Sequence, residues 1–145
     1  MKSATRLRID NLLRSSDLRR TSPRVAILSV LLQAQKPLTQ EQISASLAPT
    51  IPNKVTIYRT LERFCGAGLV HKAFMQKRAW HYELADRCTE EQCHPHFTCK
   101  KCGVISCLAG LSVSIVKGLK KGFVIHRQQV RLEGLCPRCV GKKGR

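Results

Sequence analysis

Apolar positions follow a helical period through the first half of this chain and then break into short runs with strand character. Leu7, Ile9, Leu12 and Leu13 form a short helical pattern that ends before Ser15-Ser16-Asp17. A second helix is expected from Thr21-Ser22-Pro23, with Ser22 as N-cap and Pro23 at the first helical position, where its missing N–H matters least. Val25, Ile27, Leu28, Leu31 and Leu32 carry its apolar face to Lys36-Pro37. Thr39 and Gln42 have the spacing of a capping box and open a third helix through Ile43 and Leu47, closed by Pro49 and Pro52. Asn53 is placed to cap a fourth helix, in which Ile57, Leu61, Phe64 and Cys65 share one face until Gly66 and Gly68 stop it.

Leu69 to Met75 and Arg78 to Leu84 read as two strands joined around Gln76-Lys77. Helices followed by such a hairpin predict a winged helix-turn-helix over residues 1–84. Residues 85–94 are polar and poor in apolar side chains, as expected of a hinge. Beyond them, Phe97 to Leu108 reads as a strand wrapped around a cysteine turn, Leu111 to Leu119 as a helix and Phe123 to Leu132 as a strand. That order predicts a small α/β domain over 95–145, and an α+β protein as a whole. A sheet this small leaves an edge and an apolar face uncovered, so a second copy of the chain is the expected partner.

Cysteine spacing adds a metal. Cys99 with Cys102 and Cys136 with Cys139 are two Cys-x-x-Cys pairs, each able to grip one ion from a single tight turn. Four thiolates complete a tetrahedral zinc shell and leave no position for water, which makes the predicted site structural. A nucleobase-deaminase reading fits worse. His81-Tyr82-Glu83 mimics its His-x-Glu, but Thr98 stands where a Pro should precede Cys99, and a catalytic zinc needs an open position. No enzyme activity and no small-molecule substrate are expected.

The 145 residues hold 26 Lys and Arg against 9 Asp and Glu, a formal charge of +17 that favours a polyanionic partner. Lys54, Thr56, Tyr58, Arg59 and Arg63 lie away from the apolar face of the fourth helix, and with Arg20, Arg24 and Asn53 they are the candidate contacts to double-stranded DNA. No apolar run suits a signal peptide or a membrane span, and eight cysteines without an export signal suit a reducing compartment, so the cytoplasm is the expected location.

Taken together, these stretches resemble the ferric uptake regulator family of metal-responsive bacterial repressors. The resemblance rests on Arg20-Thr21-Ser22-Pro23-Arg24, on Val55-Thr56-Ile57-Tyr58-Arg59-Thr60-Leu61, on the signature His94-Pro95-His96-Phe97-Thr98-Cys99-Lys100-Lys101-Cys102-Gly103, and on Gly134-Leu135-Cys136-Pro137-Arg138-Cys139. It implies a homodimeric repressor of a bacterial cytoplasm binding an inverted repeat, with a structural zinc and a separate regulatory metal. At the regulatory positions the chain departs from the iron-responsive pattern: Lys36 stands where a His is usual, and Cys107 where a carboxylate is usual. Glu83, Cys88, Cys93, His94, His96, Cys107 and His81 are the remaining candidate ligands. Thiolate and imidazole favour Zn2+ over Fe2+, Mn2+ or Ni2+. Gln128 replaces another metal-binding His of many relatives, and His71 reads as a half-buried strand histidine. Iron, nickel and peroxide or thiol-redox sensing remain the alternatives within the family, and a zinc-ribbon nucleic-acid adaptor the alternative outside it.

Overall fold

The computed structural model describes residues 2–47, 49, 53–85, 94–108 and 110–141. The chain divides into two compact units, Met1–Asp86 and Arg87–Arg145.

The first unit runs α1 (Lys2–Ser15), α2 (Ser22–Gln33), β1 (Leu38–Thr39), α3 (Gln40–Ser46), α4 (Lys54–Gly66), β2 (Val70–Gln76) and β3 (Ala79–Leu84). One core unites it. Ile9 and Leu13 of α1, Ile27, Leu28 and Leu31 of α2, Ile43 of α3, Ile57, Leu61 and Phe64 of α4, and Val70, Tyr82 and Leu84 of the hairpin are all buried in a single cluster. Each large apolar side chain sunk there contributes about 1.5–3 kcal/mol of transfer free energy.

Local chemistry sets the helix starts. Thr39 Oγ1 accepts from Gln42 N at 3.2 Å while Gln42 Oε1 accepts from Thr39 N at 2.9 Å, a complete capping box. Asn53 Oδ1 accepts from Thr56 N at 3.1 Å and so caps α4. At α2 the expected cap moves by one residue. Thr21 holds the extended N-cap conformation, Ser22 is already helical, and no side-chain bond closes the cap, so the Pro of the first turn sets the start there.

A third strand joins the predicted hairpin. β1 pairs antiparallel with β3, giving the sheet order β1-β3-β2. The hairpin turn lies at Lys77-Arg78, one residue later than expected, because Gln76 pairs with Ala79. A bulge between Lys72 and Phe74 shifts the register within β2.

The second unit is a three-stranded sheet of order β5-β4-β6, with β4 (His96–Cys99), β5 (Ile105–Cys107) and β6 (Arg131–Gly134), followed by the one-turn helix α5 (Pro137–Val140). β4 runs antiparallel to β5 and parallel to β6. The cysteine-turn strand pair is as expected, but two other elements are not. Residues 111–119 form no helix, and of the strand expected from Phe123 to Leu132 only Arg131 and Leu132 are in β6. Gly118 and Gly122, with φ of +82° and +98°, turn the chain there. The apolar residues at 111, 113, 116 and 119 meet no surface that would reward a helix; Leu111 and Val116 are each 56% exposed. The Gln128 amide instead holds this stretch, accepting from Val116 N at 2.8 Å and donating to Ser114 O at 3.1 Å.

Candidate metal centre and nucleic-acid interface

Two tight turns build the cysteine site. The first leaves β4 at Cys99 and closes with Gly103 N donating to Cys99 O at 2.9 Å, at a left-handed Gly103 (φ +75°) that a side chain would strain. The second opens α5, where Cys139 N and Val140 N donate to Cys136 O at 2.8 and 3.0 Å. Parallel pairing of Cys99 with Gly134 brings the turns side by side, and Lys100 N donates to Gly134 O at 2.8 Å. All four sulfurs then lie within 4.8 Å of one another.

The spacing and chemistry both fit a divalent ion. Cys102 Sγ and Cys136 Sγ are 3.7 Å apart. A tetrahedron with metal–sulfur bonds of about 2.3 Å has an edge of about 3.8 Å. Backbone N–H groups of Cys102 and Cys136 draw the Cys99 thiol down to about 6. Burial raises Cys136, but hydrogen bonds from the Cys139 and Cys102 thiols outweigh it and leave the group lowered. Burial and the neighbouring sulfurs push Cys139 up to about 12. Four thiols so close cannot all ionise by themselves, and a dication resolves that conflict. Cys99, Cys102, Cys136 and Cys139 are the residues that would hold it.

The regulatory candidates divide. His94, His96 and Cys107 place their ligand atoms within 4.8 Å of one another. Strand pairing explains the meeting, since His96 is the register partner of Cys107. The two imidazoles lie 4.7 Å apart between ring centroids, and both are buried. Two imidazoles and a thiol suit a borderline-soft divalent ion. Glu83 lies on β3 with Oε1 at 2.8 Å from His71 Nε2. His81 is not brought into either ligand group. It is buried in the hairpin sheet, stacked on Phe74 at 4.6 Å, with Nδ1 at 3.2 Å from Ala79 O. Cys88 and Cys93 lie outside the described residues. His71 is the residue the periodicity undervalued: its partnership with Glu83 follows from register across β2 and β3.

On α4 the side opposite Ile57, Leu61 and Phe64 is open. Asn53, Lys54, Tyr58, Arg59 and Arg63 are exposed, and Val55, absent from the expected set, is exposed beside them. Asn53 and Thr56 have a structural task, for Thr56 Oγ1 also donates to Asn53 Oδ1 at 3.2 Å within the cap. Arg20 Nε pairs with Asp10 Oδ1 at 2.8 Å, and Arg24 Nη1 donates to Arg19 O at 2.6 Å, so both guanidinium groups are tethered at the corner between α1 and α2.

Residues 15–131 match the Ferric uptake regulator family. This chain belongs to that family. Transcriptional regulator FurA of Mycobacterium tuberculosis is 32% identical over 134 residues, covering 88% of this chain and 86% of FurA. The ferric uptake regulator from Pseudomonas aeruginosa, solved with manganese, is 25% identical with a TM-score of 0.60, over 88% of this chain and 97% of its own. The Helicobacter pylori ferric uptake regulator, described with three functional metal-binding sites, shares the fold at 16% identity with a TM-score of 0.63, over 99% and 97% of the two chains. The protein is thus a transcriptional regulator that senses metal and not an enzyme, which removes the deaminase and ribbon-adaptor readings. No helix among the described residues is long and apolar enough to cross a membrane.

Proposed function

We propose that this regulator is a cytoplasmic zinc-responsive repressor that binds inverted-repeat DNA as a homodimer. The observation carrying the metal preference is the trio His94, His96 and Cys107, in which a thiol replaces the usual oxygen donor. Glu83, Cys88 and Cys93 are the candidates for a further ligand, as the resemblance implies. The four-cysteine site holds a second, structural zinc.

The mechanism is a population shift. Without regulatory metal, the arrangement of the two DNA-binding units that fits an operator is a minority state. A regulatory ion held more tightly by the competent state than by the others would raise its population, and the difference in metal affinity between states would set the size of the response. Paired α4 helices then enter successive major grooves about 34–36 Å apart. Tyr58, Arg59 and Lys54 supply base-edge and phosphate contacts. Exposed Phe123, Val124 and Ile125 supply apolar surface for the second copy.

Footprinting on an inverted repeat, titrated separately with Zn2+, Fe2+, Mn2+ and Ni2+, tests the reading. Protection at the lowest free concentration of zinc supports it. The manganese-bound Pseudomonas aeruginosa relative favours an oxygen-preferring sensor as the second reading. Protection by iron or manganese at concentrations where zinc has no effect would establish that one instead.

A further inference from the structure

Positive charge is denser in the second unit than in the one that carries α4. Residues 1–86 hold 14 Lys and Arg against 6 Asp and Glu, a net of +8, and residues 87–145 hold 12 against 3, a net of +9 on the shorter stretch. Four thiolates and a dication subtract about two charges from the second unit and still leave it the more densely basic. Charge serving α4 alone would lie in the first unit.

Three of these cations are gathered at the cysteine end. Lys100 and Lys101 stand between Cys99 and Cys102, and Arg138 immediately precedes Cys139, so each Cα is about 3.8 Å along the chain from a cysteine whose sulfur belongs to the four-sulfur cluster. All three residues are exposed. Backbone bonds fix the turns that carry them: Lys100 N donates to Gly134 O at 2.8 Å, Gly103 N to Cys99 O at 2.9 Å and Cys139 N to Cys136 O at 2.8 Å. Glu133 is the one Asp or Glu in residues 94–145, and it sits 3.3 Å from Arg131. Offsetting the sulfur charge does not account for the gathering. Three cations exceed the roughly two negative charges of a zinc tetrathiolate, and Cys136 N already donates to Cys99 Sγ at 3.4 Å. Lys117, Lys120 and Lys121 belong instead to the stretch whose exposed apolar side chains suit a second copy.

We propose that Lys100, Lys101 and Arg138 form a phosphate-binding surface on the second unit, which holds duplex DNA without regard to its sequence and without need of the regulatory metal. The cysteine turns set its geometry, so it is present whether or not the regulatory site is filled. A regulator that has left its operator then stays on the chromosome, where sliding and hopping shorten the next search. The inference needs DNA binding but not zinc selectivity.

The test uses the full chain with the four-cysteine site filled, with and without regulatory metal, on a duplex of scrambled sequence between about 50 and 200 mM salt. For Lys100→Gln/Lys101→Gln/Arg138→Gln the slope of log affinity against log salt should flatten by about 0.9 for each lost phosphate contact, roughly two to three per protomer, equally in both metal states. Lys117→Gln/Lys120→Gln/Lys121→Gln removes the same charge away from the turns and should flatten the slope clearly less. Zinc content is measured beside each titration. If the first variant loses structural zinc, Lys100→Gln/Lys101→Gln and Arg138→Gln, each altering one turn, are read in its place, and their slope changes should add to the same total. Loss of zinc from these as well would show that the cations serve the sulfur charge, which overturns the proposal. So does an unchanged slope, an equal change in the Lys117, Lys120 and Lys121 variant, or a change confined to one metal state. Metal dependence of the unaltered protein on its operator is read separately, so a failure of the repressor reading is told apart from a failure of this surface.

Discussion

The two units are stabilised by different means. In the first, fourteen buried apolar residues among those described, from four helices, the sheet and the turn between α4 and β2, share one core. In the second, the described core is Cys99, Cys136 and Cys139 with Phe97 and Val104 packed against them, while Phe123 and Val124 stand 68% and 75% exposed. The first unit can therefore draw its stability from hydrophobic burial within one chain. The second shows little of it among the described residues; in the reading proposed above, an ion at the four-cysteine site and a second copy over its exposed apolar side chains supply the rest.

The sharpest way to break that contrast is Cys136→Ser. Structural zinc contributes about 10–16 kcal/mol in small sites of this kind. Calorimetry should lose the transition of the second unit, with the metal content of the four-cysteine site, while the first unit still melts cooperatively. Retention of both transitions would mean the second unit folds on packing alone. The reciprocal change is Phe64→Ala, at a side chain with no exposed surface. It should lower the stability of the first unit by about 3–5 kcal/mol and leave zinc content unchanged.

The partner half of the argument is tested by Phe123→Asp. Analytical ultracentrifugation should show dimer association weakened by at least about 2 kcal/mol, roughly thirtyfold; an unaltered dimer would place the interface elsewhere. Acid tests the ion. Cys139, raised to about 12, must lose its proton whenever metal binds, and Cys99, lowered to about 6, adds a further competing proton below that pH. Zinc affinity at this site should fall by at least about tenfold per pH unit between pH 8 and 6, and more steeply below, as read by chelator competition. A flat profile would show that the thiols are ionised before metal arrives. The smallest effect is expected from Asn53→Ala, which removes the α4 cap: about 1 kcal/mol of first-unit stability by urea unfolding, with no change in metal content.

The same contrast governs what was legible in the sequence. In the first unit, periodicity and capping chemistry are local, and the Thr39–Gln42 box, the Asn53 cap and the Ile57–Leu61–Phe64 face all appear where the residues indicated. β1 escaped notice because two residues have no period to read; only pairing to β3 makes them a strand. In the second unit the cysteine pairs were plain from spacing, but apolar residues at 111–125 suggested elements that a single chain does not form. Periodicity presumes a surface to bury against, and that segment lacks one within the described chain. Register hid the rest. His71 faces Glu83, and His96 faces Cys107, only because particular strands pair at particular offsets. A slip of one residue would separate each pair, and no count along the chain reveals the offset.

Cys136 N donates to Cys99 Sγ across a separation of 37 residues, so the two turns are the neck of a long closed ring. Ring closure depends only logarithmically on circumference: doubling the enclosed chain adds about 0.6 kcal/mol. The stretch between the turns is accordingly where insertions and deletions should accumulate across descendants of this gene, while the neck keeps its spacing. Change between β5 and β6 would, on the dimer reading proposed above, alter which copies recognise one another and leave the strands that hold the four cysteines in place.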